Sequence, residues 1–170
     1  MRFLRPPTQN VIELFHKASP LDKFALILAS WFGVAMMPVV PGTFGTLAAI
    51  PFAVAVAYLS PVAGAYVLFF FILLAIWVSD RSARVLGKDD PAEVVIDEVV
   101  GLLLTLFLLP ATGFNLFMGF ILFRFFDILK PYPIRKLEKI GGGAGIVLDD
   151  LLAGVFANVC LRIMAYAFGL

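Results

Sequence analysis

The sequence predicts an all-α fold: a polytopic membrane helical bundle with about five spans plus a short N-terminal or re-entrant helix. Three observations carry that expectation. The chain is 62% hydrophobic and only 15% charged, with a mean hydropathy of +1.00. A soluble domain is nearer half apolar and a quarter charged. Apolar runs are separated by proline- and glycine-marked turns, and Lys and Arg collect in alternate connections, as in a chain that threads a bilayer.

The elements follow in chain order. Residues 1–20 read as an N-terminal tail or interfacial segment ahead of a single membrane-embedded domain, residues 21–170. Arg2 and Arg5 lead into Pro6 and Pro7 and not into an apolar core, which is not the pattern of a signal peptide. Val11, Ile12, Leu14 and Phe15 fit a short helix with His16 and Lys17 toward water. Residues 24–40 are apolar, interrupted at Ser30 and Gly33 and stopped by Pro38 and Pro41. Residues 41–46, Pro-Gly-Thr-Phe-Gly-Thr, read as a loop before a helix over 47–59. A second helix covers 62–79, followed by a charged loop over 80–93. A hairpin of two helices, 94–109 and 116–126, turns at Pro110–Asn115. The segment 130–150 reads as a basic, glycine-rich connection, and 151–170 is the last apolar run.

Charge sets the expected topology. Arg81, Arg84 and Lys88 lie in one connection and Lys130, Arg135, Lys136 and Lys139 in another, whereas the turns at 60–61 and 110–115 carry neither Lys nor Arg. Both basic connections are therefore expected on the cytoplasmic side. A basic N-terminus on that same side leaves no room for 24–40 as a simple span. A short helix and a re-entrant segment broken near Gly33 are expected instead, and irregular backbone at membrane depth marks a site.

Composition excludes several chemistries. The single histidine, His16, and the single cysteine, Cys160, rule out a histidine pair, a Ser-His-Asp triad in the apolar region, a cysteine-rich zinc site and an internal disulfide. A net charge of +1 gives no footprint for nucleic acid.

What stands out is a set of carboxylates at the margins of apolar segments: Asp97, Glu98, Asp127, Asp149 and Asp150. Ionisable groups there are costly and point to function. All five fall at the cytoplasmic ends of their helices, so they can converge. Hard oxygen donors without His or Cys favour magnesium, with manganese or calcium as the other ions of that class. Plainer roles stand beside this one: Asp149 or Asp150 as a cap of the last helix, Asp127 as a salt-bridge partner of Arg124 or Lys130, and Glu98 as a structural acid. Asp80, Asp89, Asp90 and Glu93 read as solvated.

Arg124, Asp127 and Lys130 recur at spacings of three and share a helix face, so the two cations can hold a phosphate. Gly42, Thr43, Gly45 and Thr46 precede a helix, where glycine amides, hydroxyls and the helix dipole attract an anion. The competing reading is a turn with Thr46 as N-cap. Arg135, Lys136 and Lys139 suit anionic lipid or topology, with Arg135 also a candidate for the substrate. Arg162 is expected to snorkel outward.

Four stretches together resemble the phosphatidylglycerophosphatase A family: residues 41–46, Ile96-Asp97-Glu98, residues 123–135 from Phe123 to Arg135, and residues 143–154 from Gly143 to Gly154. In this order and spacing they are specific, and they cover the chain from about residue 25 onward. The resemblance implies an all-helical, multi-pass protein of the bacterial inner membrane, with its site facing the cytoplasm. It also implies magnesium-dependent hydrolysis of phosphatidylglycerophosphate to phosphatidylglycerol and phosphate. Asp97, Glu98, Asp127, Asp149 and Asp150 would include the metal ligands and one general base. Lys130, Arg124, Arg135 and the 41–46 segment would hold the phosphate. The alternative is a divalent-cation transporter or channel lined by the same carboxylates.

Overall fold

The computed structural model describes residues 9–168; the expectations for Arg2, Arg5, Pro6 and Pro7 lie outside them. Within those residues the protein is all-helical, with α1 (Gln9–Lys17), α2 (Pro20–Ala29), α3 (Pro41–Ala57), α4 (Pro61–Leu86), α5 (Ile96–Leu106), α6 (Gly113–Leu129), α7 (Ile134–Leu137) and α8 (Gly142–Phe168). Short 3-10 turns at Val34–Met36 and Glu138–Ile140 complete it. α8 is the central element and packs against α4, α5 and α6.

α1 docks through buried Val11 and leaves His16 and Lys17 exposed. The Ser19 hydroxyl caps α2 by accepting from the Asp22 amide at 3.2 Å. The Asp22 carboxylate in turn accepts from Ser19 Oγ at 2.6 Å and from Arg81 Nε of α4 at 2.5 Å. Those donors hold the Asp22 carboxyl below the usual carboxylate range, the Ser19 hydroxyl contributing most.

The expected break after α2 is present. Trp31, Phe32 and Gly33 all have positive φ, and only at Gly33 does the backbone adopt that conformation without steric cost. Trp31 is held in place by its side chain. Trp31 packs its ring against Phe52 and Phe71 and donates from Nε1 to Ala48 O of α3 at 3.2 Å.

Three helix boundaries differ most from the sequence expectation. Residues 41–46 are not a loop: α3 begins at Pro41, a residue pre-organised for the first helical position. Thr46 is no N-cap, because its hydroxyl donates to Gly42 O one turn back, at 2.7 Å. α4 does not stop at 79 but continues to Leu86, carried by the Asp80–Arg84 pair four residues apart and closed by left-handed Gly87. α8 starts at Gly142, so the glycine-rich stretch is its first turn and not a flexible connection. The reason is packing. A side chain at Gly143 would meet the Asp80 amide nitrogen at 2.6 Å, so glycine there lets α8 rest on the α4 backbone.

Two helices, Pro61–Leu86 and Gly142–Ala167, are long and apolar enough to cross a membrane, and α3 is a shorter apolar helix. Large apolar side chains project outward in rows: Phe69, Phe70, Leu73 and Trp77 on α4, Phe117, Ile121, Phe125 and Ile128 on α6, and Val155, Val159 and Ile163 on α8. The interior combines apolar side chains such as Phe123, Leu102 and Leu161 with the acids Asp97, Glu98, Asp149 and Asp150, and apolar rows of this extent on the outside mark an interaction surface.

Candidate metal and phosphate site

The site is built where α5 begins, α6 ends and α8 passes its second turn. Asp97 and Glu98 occupy the first turn of α5 and are 3% and 4% exposed. Their entry point is fixed by the Val95 amide, which donates to Ala29 O of α2 at 2.8 Å. Asp149 and Asp150 lie well inside α8 at 4% and 3% exposure. Neither can be an N-cap, which removes the plainer reading of that pair.

One carboxylate oxygen from each of Asp97, Glu98 and Asp150 falls within 4.8 Å of the other two. Glu98 Oε2 and Asp150 Oδ2 are buried without a hydrogen-bond partner. A buried carboxylate oxygen left unsatisfied is expensive, and gathering several acids compounds the cost by repulsion. A divalent cation relieves both penalties at once, so these residues fit one. The donor set, oxygen only, suits a hard cation.

Two cations flank the acids. Arg124 Nη1 donates to Asp127 Oδ2 at 2.6 Å and lies 3.9 Å from Glu98 Oε1. Lys130 Nζ donates to Asp149 Oδ2. The Asp127–Arg124 pairing named as its plainer role therefore exists, and it sits at the edge of the cluster. Arg124 Nε is buried without a partner, which leaves the guanidinium a spare donor.

α3 closes one side. Gly42 lies against Glu98 and Arg124: a side chain there would approach Glu98 Cδ to 3.1 Å and Arg124 Nη1 to 3.2 Å. Thr43 follows at the third helical position, half-buried. Gly45 serves packing, since a side chain would meet Val95 Cβ at 2.7 Å, and Thr46 is fully buried. Arg135 is exposed on α7.

A family model described as Phosphatidylglycerophosphatase A matches residues 27–165. The chain belongs to the phosphatidylglycerophosphatase A family. Named members of this phosphatase family resemble it over most of their length. A phosphatidylglycerophosphatase A of Escherichia coli K12 is 37% identical over 133 residues, 77% of each chain. One of Haemophilus influenzae is 34% identical over 159 residues, 87% of this chain and 96% of its own. A Bacteroides thetaiotaomicron protein described as a candidate phosphatidylinositol-3-phosphatase is 32% identical over 152 residues, 85% of this chain and 95% of its own. No solved structure matches.

Part of each of the four stretches singled out in the sequence meets here: Gly42 of residues 41–46, Asp97 and Glu98 of α5, Arg124, Asp127 and Lys130 at the end of α6, and Asp149 and Asp150 of α8. Sequence reasoning missed several partners. Asp80 is not simply solvated, because it accepts from the Gly143 amide at 3.4 Å and from Arg84 at 2.5 Å. Glu93 is nearly buried and accepts from Lys88 Nζ at 2.7 Å. Arg162 is exposed as expected, but its guanidinium turns back to donate to Phe107 O at 2.9 Å.

Proposed function

We propose that this protein is a magnesium-dependent lipid phosphatase that hydrolyses phosphatidylglycerophosphate to phosphatidylglycerol and phosphate. The observation that carries the reading is the buried meeting of Asp97, Glu98 and Asp150 beside Arg124 and Lys130, in a chain of the phosphatidylglycerophosphatase A family. The protein is read as one membrane-embedded domain over residues 21–170, preceded by the 1–20 segment. It is multi-pass in the bacterial inner membrane, with the acid cluster at the cytoplasmic face. The rows of exposed apolar side chains on α4, α6 and α8 support the embedding. The basic connections at both cytoplasmic ends support the orientation.

Asp97, Glu98 and Asp150 would hold Mg2+. When bound, it supplies positive charge to the phosphoryl oxygens and a water acidic enough to attack at neutral pH. The remaining roles belong to the chain. Arg124, through its spare Nε, and Lys130 orient the terminal phosphomonoester. Thr43 and the Gly42 amide, at the open N-terminus of α3, add neutral donors. Gly45, Thr46 and Arg135 complete the candidate substrate contacts, the first two by shaping α3 and Arg135 from the rim. Asp127 and Asp149, each already paired with a cation, are the carboxylates left for proton transfer.

The cluster has a closed floor, which favours an enzyme over a cation pathway. One turn below Asp97, Gly101 abuts the Phe123 ring, and a side chain there would meet Asp150 O at 3.0 Å. The phosphatidylinositol-type relative keeps a second headgroup in view, since both substrates present a phosphomonoester on a lipid.

The test is phosphate release by purified protein from phosphatidylglycerophosphate and from phosphatidylinositol 3-phosphate, with and without Mg2+, for wild type and Asp127→Asn. Release of the first that needs Mg2+ and falls in the variant is expected. Release that persists in chelator would sink the metal reading. Preference for the inositol lipid would reassign the substrate.

A further inference from the structure

The acid cluster is anchored from its far end. α5 has 11 residues and rises only about 16 Å, roughly half an apolar bilayer core. Leu104 O and Leu106 O accept from the amides of Phe107 and Leu109, and in apolar surroundings each carbonyl left over at the helix end is costly. α8 supplies the donors. Asn158 Nδ2 reaches Thr105 O at 2.7 Å, Phe107 O at 3.1 Å and Leu104 O at 3.3 Å. Arg162 donates from Nη2 to Phe107 O at 2.9 Å and from Nε to Asn158 Oδ1 at 2.8 Å. That last bond fixes which way the Asn158 amide faces, so Nδ2 must point at the carbonyls.

Asp150, Asn158 and Arg162 each meet α5 or its end in turn along α8. Asp150, Gly154, Asn158 and Arg162 follow at intervals of four. Between them, Gly154 and Gly101 bring the two backbones together, and Thr105 Oγ1 donates to Gly101 O at 2.8 Å and reaches Gly154 O at 3.4 Å. Apolar contacts are non-directional and fix the axial position of a short helix less sharply than hydrogen bonds do. Hydrogen bonds from α8 to the end of α5 supply that sharper constraint. Asp97 and Glu98 ride on α5, and Asp150 rides on α8.

We infer that Asn158 and Arg162 are positioning residues which fix the axial register of α5 on α8 and thereby set the cation affinity of the Asp97–Glu98–Asp150 cluster. The inference rests on the metal reading above. It assigns a functional role to two residues far from the chemistry.

The test measures Mn2+ binding to detergent-purified full-length protein by electron paramagnetic resonance, alongside melting temperature and phosphate release as a function of Mg2+. The variants are Asn158→Ala, Arg162→Lys and, as a control, Leu161→Ala. Leu161 is fully buried on α8 and lies near Gly119 of α6, so its truncation loosens packing without touching the α5 carbonyls. Asn158→Ala is expected to raise the Mn2+ dissociation constant and the Mg2+ activation constant together by about tenfold or more, the range seen when an outer support of metal ligands is lost. Leu161→Ala is expected to lower the melting temperature with both constants unchanged. Arg162→Lys keeps the charge but loses the fork, and should raise both constants less; it carries the test if Asn158→Ala does not fold. Equal shifts in Asn158→Ala and Leu161→Ala, or unchanged binding in Asn158→Ala or Arg162→Lys, would overturn the inference and leave the phosphatase reading standing. Wild-type protein that binds no Mn2+ would overturn both.

Discussion

The Cα of Gly42 faces the Glu98 carboxylate so closely that a methyl group at position 42 would occupy the space of Oε1 and stand 3.1 Å from Cδ. α3 and α5 can meet at the site only because position 42 has no side chain. Gly42→Ala therefore displaces a candidate cation ligand while leaving the fold's central α8 contacts intact. Misplacement on the order of 1 Å can cost about 100-fold in rate. The expected outcome is a loss of that size in phosphate release with a small change in melting temperature. Activity within a few-fold of wild type would remove Glu98 from the site.

How much of this was legible before the structure depends on the residue. The convergence of Asp97, Glu98 and Asp150 was, because carboxylates at the margins of apolar segments are costly and point to a shared partner. The break near Gly33 was, because Ser30, Gly33, Pro38 and Pro41 interrupt an apolar run. The glycine-rich starts of α3 and α8 were not. Local propensity reads Gly42, Gly45 and Gly143 as loop, yet each is glycine because another helix occupies the space of its side chain. That is tertiary information. The inward bonds of Arg162 were not legible for the same reason, since its carbonyl acceptors, Phe107 O and Leu108 O just past the end of α5, lie more than fifty residues away along the chain.

Asp150 has a stability cost attached to its proposed role. Its carboxylate shares a buried space with Asp97 and Glu98 and feels Asp127 and Asp149 as well. Without a cation those charges repel. Asp150→Asn should raise the melting temperature in chelator by about 2–4 °C, as expected for roughly 1 kcal/mol in a chain of this size. The same variant should abolish Mg2+-dependent phosphate release. Thermal melts of both proteins with and without Mg2+ decide it: stabilisation by Mg2+ is expected in wild type and not in the variant. A variant less stable than wild type in chelator would contradict the repulsion argument.

Lys130 and Asp149 form an interhelical pair that ties the end of α6 to α8. If Lys130 also orients phosphate, its loss costs more than the pair does. Lys130→Ala is expected to lower kcat/KM by about 100-fold, the scale of removing one donor aimed at developing charge. In a double-mutant cycle, Asp149→Asn should add little to that loss, because the two residues act as a unit. Strictly additive effects would separate them. At position 124, Lys in place of Arg should also fail, because a point charge cannot serve Asp127, Glu98 and a phosphate together as a guanidinium can.

Asp22 gives a pH signature remote from the site. Its carboxyl is held below the ordinary value by Ser19 and Arg81, so the folded state binds the proton less readily than the unfolded chain does. The link between α2 and α4 is therefore fully present above the unfolded carboxylate range. It is lost as pH falls through the folded value. Melting temperature should drop on acidification below about pH 4, and Arg81→Ala should flatten that limb while leaving the neutral-pH Mg2+ requirement unchanged. An acid limb of equal depth in the variant would show that other carboxylates dominate.

The crossing of α5 and α8 separates packing from chemistry. A side chain at Gly154 would meet Gly101 O at 2.5 Å and Gly101 C at 3.3 Å, and both are backbone atoms that cannot rotate away. Gly154→Ala must push the two helices apart. Overpacking of this kind costs about 1–3 kcal/mol, and the separation also draws Asp97 and Glu98 away from Asp150. The expected result is a lower melting temperature together with weaker Mg2+ activation, in contrast to Gly42→Ala, which spares stability. The pairing of effects is what tests the geometry. If Gly154→Ala lost stability but kept the wild-type Mg2+ dependence, the cluster would be holding its shape independently of the α5–α8 distance, and the carboxylates would have to be organised by α3 and α6 alone.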